Sequence, residues 1–300
     1  MRLDSPLVLP SPLAAVAALP AGAPASSDRA DARAAAAKRS QRLRRAAAAW
    51  ATVAVLGQLW MAVYIAVLYG GSALRGELEA WNRVLPHGLV EGAPLGNAVL
   101  VSHLAAAFVV YIAGGLQLWP WLRRHAPRVH RWSGRLFVVA AVAIALGGPA
   151  MKLVHGRIGD RFQESALLVA AGLILVFATQ AWRTARARQF DRHRLWALRL
   201  WLAMGTVWFL RLGVFGWIMV NGGRAVGFDP ESFSGPALAV IVWAAVLVPQ
   251  GVLNAYFAAQ RQPTRWRAGA MTAALAVLTL ATIASIGVEA MAMSWPRTFG

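Results

Sequence analysis

Three ionisable side chains stand inside apolar runs of this chain: His103, Arg211 and Glu289. An ionisable group at mid-bilayer costs about 2.5 to 3.5 kcal/mol on insertion scales, so each needs a partner or a task. Counted along helices at about 1.5 Å per residue, all three fall in one half of the membrane: His103 roughly 8 Å and Arg211 roughly 13 Å below its outer edge, Glu289 about one turn below it. The arrangement of least cost is an interior cluster in which Glu289 neutralises Arg211 while His103 hydrogen-bonds to one of them or to a ligand. Such a cluster serves either as a structural network or as a centre that responds to a proton, an anion or a cofactor. On a helical wheel His103 shares a stripe with Ala107, Gly114 and Gln117, so it is expected to face protein rather than lipid.

A second set lies at the opposite membrane face. PWLRRHAPRVHRWSGRLFVV, residues 120 to 139, carries His130, Arg131 and Arg135, and its HRWSGRLF is echoed by HRLWALRLW with His193, Arg194 and Arg199. Gln117, Gln180, Gln250 and Asn254 stand at a similar level. Two readings are open: contacts to lipid phosphates with interhelical hydrogen bonds, or a joint site where the two His-Arg turns meet. The chain has no cysteine, so any metal or redox chemistry falls to histidine. Candidate axial ligands of a haem b are His103 with His155 towards the outside, and His130 with His193 towards the inside. His87 and His125 lie in or beside loops and are expected to be solvated. No His-x-x-x-His pair occurs, the only lysines are Lys38 and Lys152, and no catalytic motif is found.

The elements that must position these groups are membrane helices. Hydrophobic residues make up 58% of the chain, charged residues 14%, with 14 tryptophans and a mean hydropathy of +0.52, which excludes an ordinary soluble surface. A bilayer core takes about 20 apolar residues in a helix, and such runs fall at 46 to 69, 98 to 118, 134 to 154, 164 to 182, 195 to 220, 237 to 257 and 268 to 293. The expected fold is an all-α polytopic bundle of about seven spans, with residues 1 to 45 a disordered basic cytoplasmic arm and 46 to 295 the membrane domain. A signal peptide is the rival for the first residues, but Asp4 and several prolines break its pattern.

Charge placement predicts topology. The arm has eight Lys/Arg, and further arginines crowd the loops after the second, fourth and sixth runs: Arg123, Arg124, Arg128 and Arg131; Arg183, Arg186, Arg188, Arg192 and Arg194; Arg261, Arg265 and Arg267. The positive-inside rule then sets the N-terminus in and the C-terminus out, in a bacterial inner membrane. The net charge of +18 is a topology signal and a surface for anionic headgroups, not a nucleic-acid footprint. A homo-oligomer or a membrane protein partner is compatible with the small-residue helix faces.

VSHLAAAFVVYIAGGLQLWPWLRRHAPRVHRWSGRLFVVAA, followed by DRHRLWALRLWLAMGTVWFLRL, resembles a bacterial family of predicted multi-span membrane proteins known as domain of unknown function 2306. The resemblance covers roughly residues 98 to 220. It implies a helical membrane fold and marks His103, Pro120, Pro127, His130, Arg131, Gly134, Arg135, His193, Arg194, Arg199 and Arg211 as the positions of the family pattern. Phe137 stands where a tyrosine often follows, which removes any phenolic role there. No reaction is implied. Three functions remain open: a non-catalytic membrane or assembly component with lipid-reading arginine turns, a haem b or quinone-linked redox protein, and a transporter with a His/Arg/Glu centre.

Overall fold

A computed structural model describes residues 26–83, 88–155 and 159–291, with side chains over 29–82, 88–151 and 159–291. The first helix, α1, runs Ser26–Tyr64 and continues as a π-helical turn, Ile65–Gly70, and a short α2, Gly71–Leu74. Then come α3 Pro94–Leu118, α4 Pro120–His125, α5 Pro127–His155, α6 Arg161–Arg186, α7 Phe190–Met204, α8 Thr206–Val220, α9 Pro236–Arg261 and α10 Arg265–Glu289. The bundle is all-α, as expected.

Two expectations need correction. Residues 26 to 45 are not an irregular arm: the alanine-rich, arginine-studded run has high intrinsic helix propensity and forms the first turns of α1. Residues 1 to 25 lie outside the described part. The single run at 195 to 220 is broken at Gly205, where α7 and α8 meet at 50°. Gly205 N donates to both Trp201 O and Leu202 O at 3.1 Å, tightening the last turn of α7, and Thr206 Oγ donates back to Ala203 O at 2.7 Å. A Cβ on residue 205 would stand 2.9 Å from Phe209 and 3.2 Å from Leu202 O, so the bend needs glycine.

Six described helices are long and apolar enough to cross a membrane, and the bent α7–α8 pair makes a seventh if it is one span. Neighbour contacts close a circuit: α1 on α3, α3 on α5, α5 on α6, α6 on α9, α9 on α8, α8 on α10, and α10 back on α1, with α7 between α6 and α9. The α7–α8 junction lies deep within it. Every residue from Leu200 to Thr206 is buried, and Trp208 is among the largest wholly enclosed side chains.

Small residues let the helices close. Gly57 on α1 faces Ile286 of α10 and Trp208 of α8; Gly114 on α3 faces Phe137 of α5 and Trp201 of α7. The arginine-rich turns gather at one end. Arg39 Nε donates to Pro263 O at 2.8 Å, and Leu43 packs with Tyr256, Ala259 and Met271, tying the start of α1 to the α9–α10 turn.

Candidate functional site: two polar clusters within the bundle

Near the other end, Arg211 of α8 and Glu289 of α10 form an ion pair, Nη2 to Oε1, at 2.6 Å. The Glu289 side chain is 4% exposed and that of Arg211 29%. The guanidinium that meets it directly offsets the cost of burying this carboxylate. The guanidinium lies 5.7 Å from the Tyr64 ring and 6.0 Å from that of Phe215. Tyr111 of α3 is buried within Coulomb reach of both charges. Above the pair an aromatic stack closes the site: Tyr64 meets Tyr69 edge-on, Tyr69 meets Trp81 edge-on, and Trp81 Nε1 donates to Ser72 Oγ at 2.9 Å. The π-helical turn places Tyr69 there, a geometry often found at functional positions.

His103 does not join this pair. It is half-buried on α3, and its Nδ1, which has no hydrogen-bond partner among the described residues, stands 3.6 Å from where a Cβ on Gly147 of α5 would be. Among the described residues Arg211 and Glu289 meet as an ion pair, and no hydrogen bond joins His103 to either. The side chain of His155 lies outside the described part, as does His87.

At the arginine-rich end, Gln117 of α3 reaches across the elbow to α5: its Nε2 donates to His130 O at 3.0 Å and Ser133 Oγ at 2.7 Å. A Cβ on Gly134 would lie 2.9 Å from Gln117 Oε1. The serine and glycine of HRWSGR thus make room for one carboxamide. His130 Nδ1 is buried without a partner, and the ring lies within charge reach of His193 and Arg123. His193 Nδ1 is 3.0 Å from Ala181 O; with that bond donated, Nε2 is left as the acceptor. Arg131 and Arg194 are exposed, and Arg135 lies over the Trp132 ring at 4.8 Å. Arg199 donates from Nη2 to Asn254 Oδ1 of α9 at 2.7 Å, and its carbonyl accepts from Gln250 Nε2 at 3.1 Å. His125 stacks on Trp121.

The two histidines therefore share one end of the bundle, on α5 and α7. Among the described residues no three His, Asp or Glu side chains converge as a metal-ligand set. A narrow gap at the α7–α8 break is lined by Gln58, Val110, Tyr111, Trp201, Met204 and Gly205. Sequence reasoning passed over Gln58, Tyr64, Tyr111 and Trp201. The only signal was a polar or amphipathic side chain in an apolar run, which is common and easily set aside.

A family model described as Predicted membrane protein (DUF2306) matches residues 100–257, running past residue 220 to take in most of α9. No curated protein and no solved structure matches the chain.

Proposed function

The chain belongs to the DUF2306 family of predicted membrane proteins, and from that premise we propose that it is a non-catalytic component of the bacterial inner membrane whose arginine turns hold anionic headgroups. It crosses seven times, N-terminus in the cytoplasm and C-terminus outside, with α7 and α8 as one bent span.

One observation carries this reading. At the arginine-rich end, Arg123, Arg124, Arg128, Arg131, Arg183, Arg186 and Arg194 are exposed and have no carboxylate partner among the described residues. Around them stand Trp119, Trp121, Trp132 and Trp182, at 52%, 51%, 68% and 40% exposure, the side-chain mixture of a membrane interface. Guanidinium groups without protein anions, set among interfacial tryptophans, suit phosphodiesters. The intramembrane polar groups mostly bond across helices, which supports a packing role for them.

The test is thermal unfolding of the reconstituted protein. Phosphatidylglycerol in place of phosphatidylcholine should stabilise it at low salt, and the gain should fade at high salt and in a variant with the turn arginines changed to glutamine. Equal stability in both lipids at every ionic strength would overturn the reading.

A transporter is the second reading. It is favoured by a span broken beside a buried Arg–Glu pair, since discontinuous helices build the binding sites of many transporters. Ion-gradient-driven uptake in proteoliposomes, lost in Arg211→Gln, would establish it. Haem b, with His130 and His193 as ligands from α5 and α7, is the redox alternative.

A further inference from the structure

Arg199 and Arg211 both lie on the bent α7–α8 pair, and among the described residues only Arg211 has a counter-charge. Arg211 meets Glu289. Arg199 stands five residues beyond Arg194, about 7.5 Å further along α7, and pairs of described residues supply it no carboxylate. Its polar side-chain partner is the neutral amide of Asn254, at 2.7 Å. Its Nε is buried and unpartnered, and Gln250, which bonds the Arg199 carbonyl, leaves its own Oε1 unpartnered as well. The rings of Trp196 and Phe177, 5.6 and 5.8 Å from the guanidinium carbon, hold it in place.

A permanent cation inside a membrane, fixed by neutral groups and with an N–H unused, is costly without an anion. The seam is open on the lipid side, because Asn254 is exposed on an apolar span. Asn254 turns its oxygen to Arg199, which leaves its Nδ2 hydrogens for an incoming acceptor.

We propose that Arg199 and Asn254 hold the phosphate of one anionic phospholipid at the α7–α9 seam. The lipid belongs to the leaflet at the arginine-rich end, with its acyl chains along the bundle surface. The inference rests on the proposed reading of that end as the anionic-lipid face, and narrows it from a diffuse surface to a single site.

The experiment is native mass spectrometry of the full chain in detergent, exchanged into equal phosphatidylcholine and phosphatidylglycerol and then washed. Wild type should retain one phosphatidylglycerol. Arg199→Gln, losing a charge-assisted contact, should retain about tenfold less. Should that variant fail to fold, Asn254→Leu keeps the cation, removes the second donor and should show a smaller loss in the same direction. A variant with Arg183 and Arg186 changed to glutamine should keep the retained lipid while losing salt-sensitive stabilisation.

Retention of either lipid without preference, full retention by Arg199→Gln or by Asn254→Leu, or displacement of the lipid by inorganic phosphate would each overturn the proposal. If Arg199→Gln alone is unaffected, this site fails and the broader reading stands. If no protein prefers phosphatidylglycerol at any ionic strength, both fail.

Discussion

Arg211 and Glu289 stand 78 positions apart in the chain and meet at 2.6 Å between α8 and α10. The contact joins the second half of the bent span to the last helix. Each charge makes the other's burial tolerable, so removing one alone should be worse than removing both. Glu289→Ala is expected to destabilise the protein by about 3 to 5 kcal/mol, and Arg211→Met with Glu289→Met to recover a large part of that loss. Thermal unfolding of the two variants in the same detergent makes the comparison. A double variant as unstable as the single one would show that the pair does more than pack.

Gly57 is a tight notch in the helix packing. A Cβ there would come within 2.6 Å of Ile286 Cδ1 and 2.7 Å of Trp208 Cζ2, and Trp208 is wholly enclosed. Gly57→Val should cost about 1 to 3 kcal/mol through overpacking. Gly172, whose Cβ would meet nothing within 4 Å, is the control, and Gly172→Ala should leave the unfolding temperature unchanged or raised.

The loop between α8 and α9 carries a pH-dependent turn. Asp229 accepts from Ser232 Oγ at 2.6 Å, Glu231 N at 3.0 Å and Ser232 N at 3.2 Å. These bonds, the serine hydroxyl first, favour the carboxylate and pull its pKa below the ordinary 3.8. The folded value is the depressed one, so the turn's stabilisation is present above the ordinary value and is lost as pH falls through the folded one. Hydrogen exchange at the Glu231 and Ser232 amides should accelerate below that range relative to neighbouring amides. Asp229→Asn should abolish this pH dependence.

Orientation is read directly by reporters. An alkaline phosphatase fused after the last residue should be active outside the cytoplasm, and a fluorescent protein fused before the first should fluoresce inside. The opposite pattern would move the arginine turns to the outer face and remove the cytoplasmic leaflet from both proposals.

A non-redox component should show no Soret band when purified from haem-replete cells. A band abolished by His193→Ala but not by His125→Ala would replace the proposed function with electron transfer through α5 and α7.

The fold class was legible because it depends on composition alone. Long apolar runs in a chain without a soluble surface have one low-cost solution, helices whose backbone groups bond within each span. Arg211 and Glu289 could be named for the same reason: an intramembrane charge is expensive wherever its helix goes. Their neighbours could not be named. Tyr64 and Tyr111 become site residues only because the fold brings α1 and α3 within reach of the Arg211–Glu289 pair, and nothing local marks them.

His103 shows the limit most clearly. Depth along a helix follows from counting residues, but azimuth and partner depend on which helices pack together, and α3 turns this histidine towards Gly147 of α5. The break at Gly205 was hidden in the same way. A single glycine in an apolar run is tolerated in a straight helix, and here the enclosing circuit of helices makes the bend the conformation that packs. Sequence by itself determined that the chain is a membrane bundle and which charges must find partners, since both follow from transfer free energies of individual residues. Only the tertiary structure decided which of those charges meet, and that Arg199 has no carboxylate partner among the described residues, because partnership is a property of packed helices and not of any one of them.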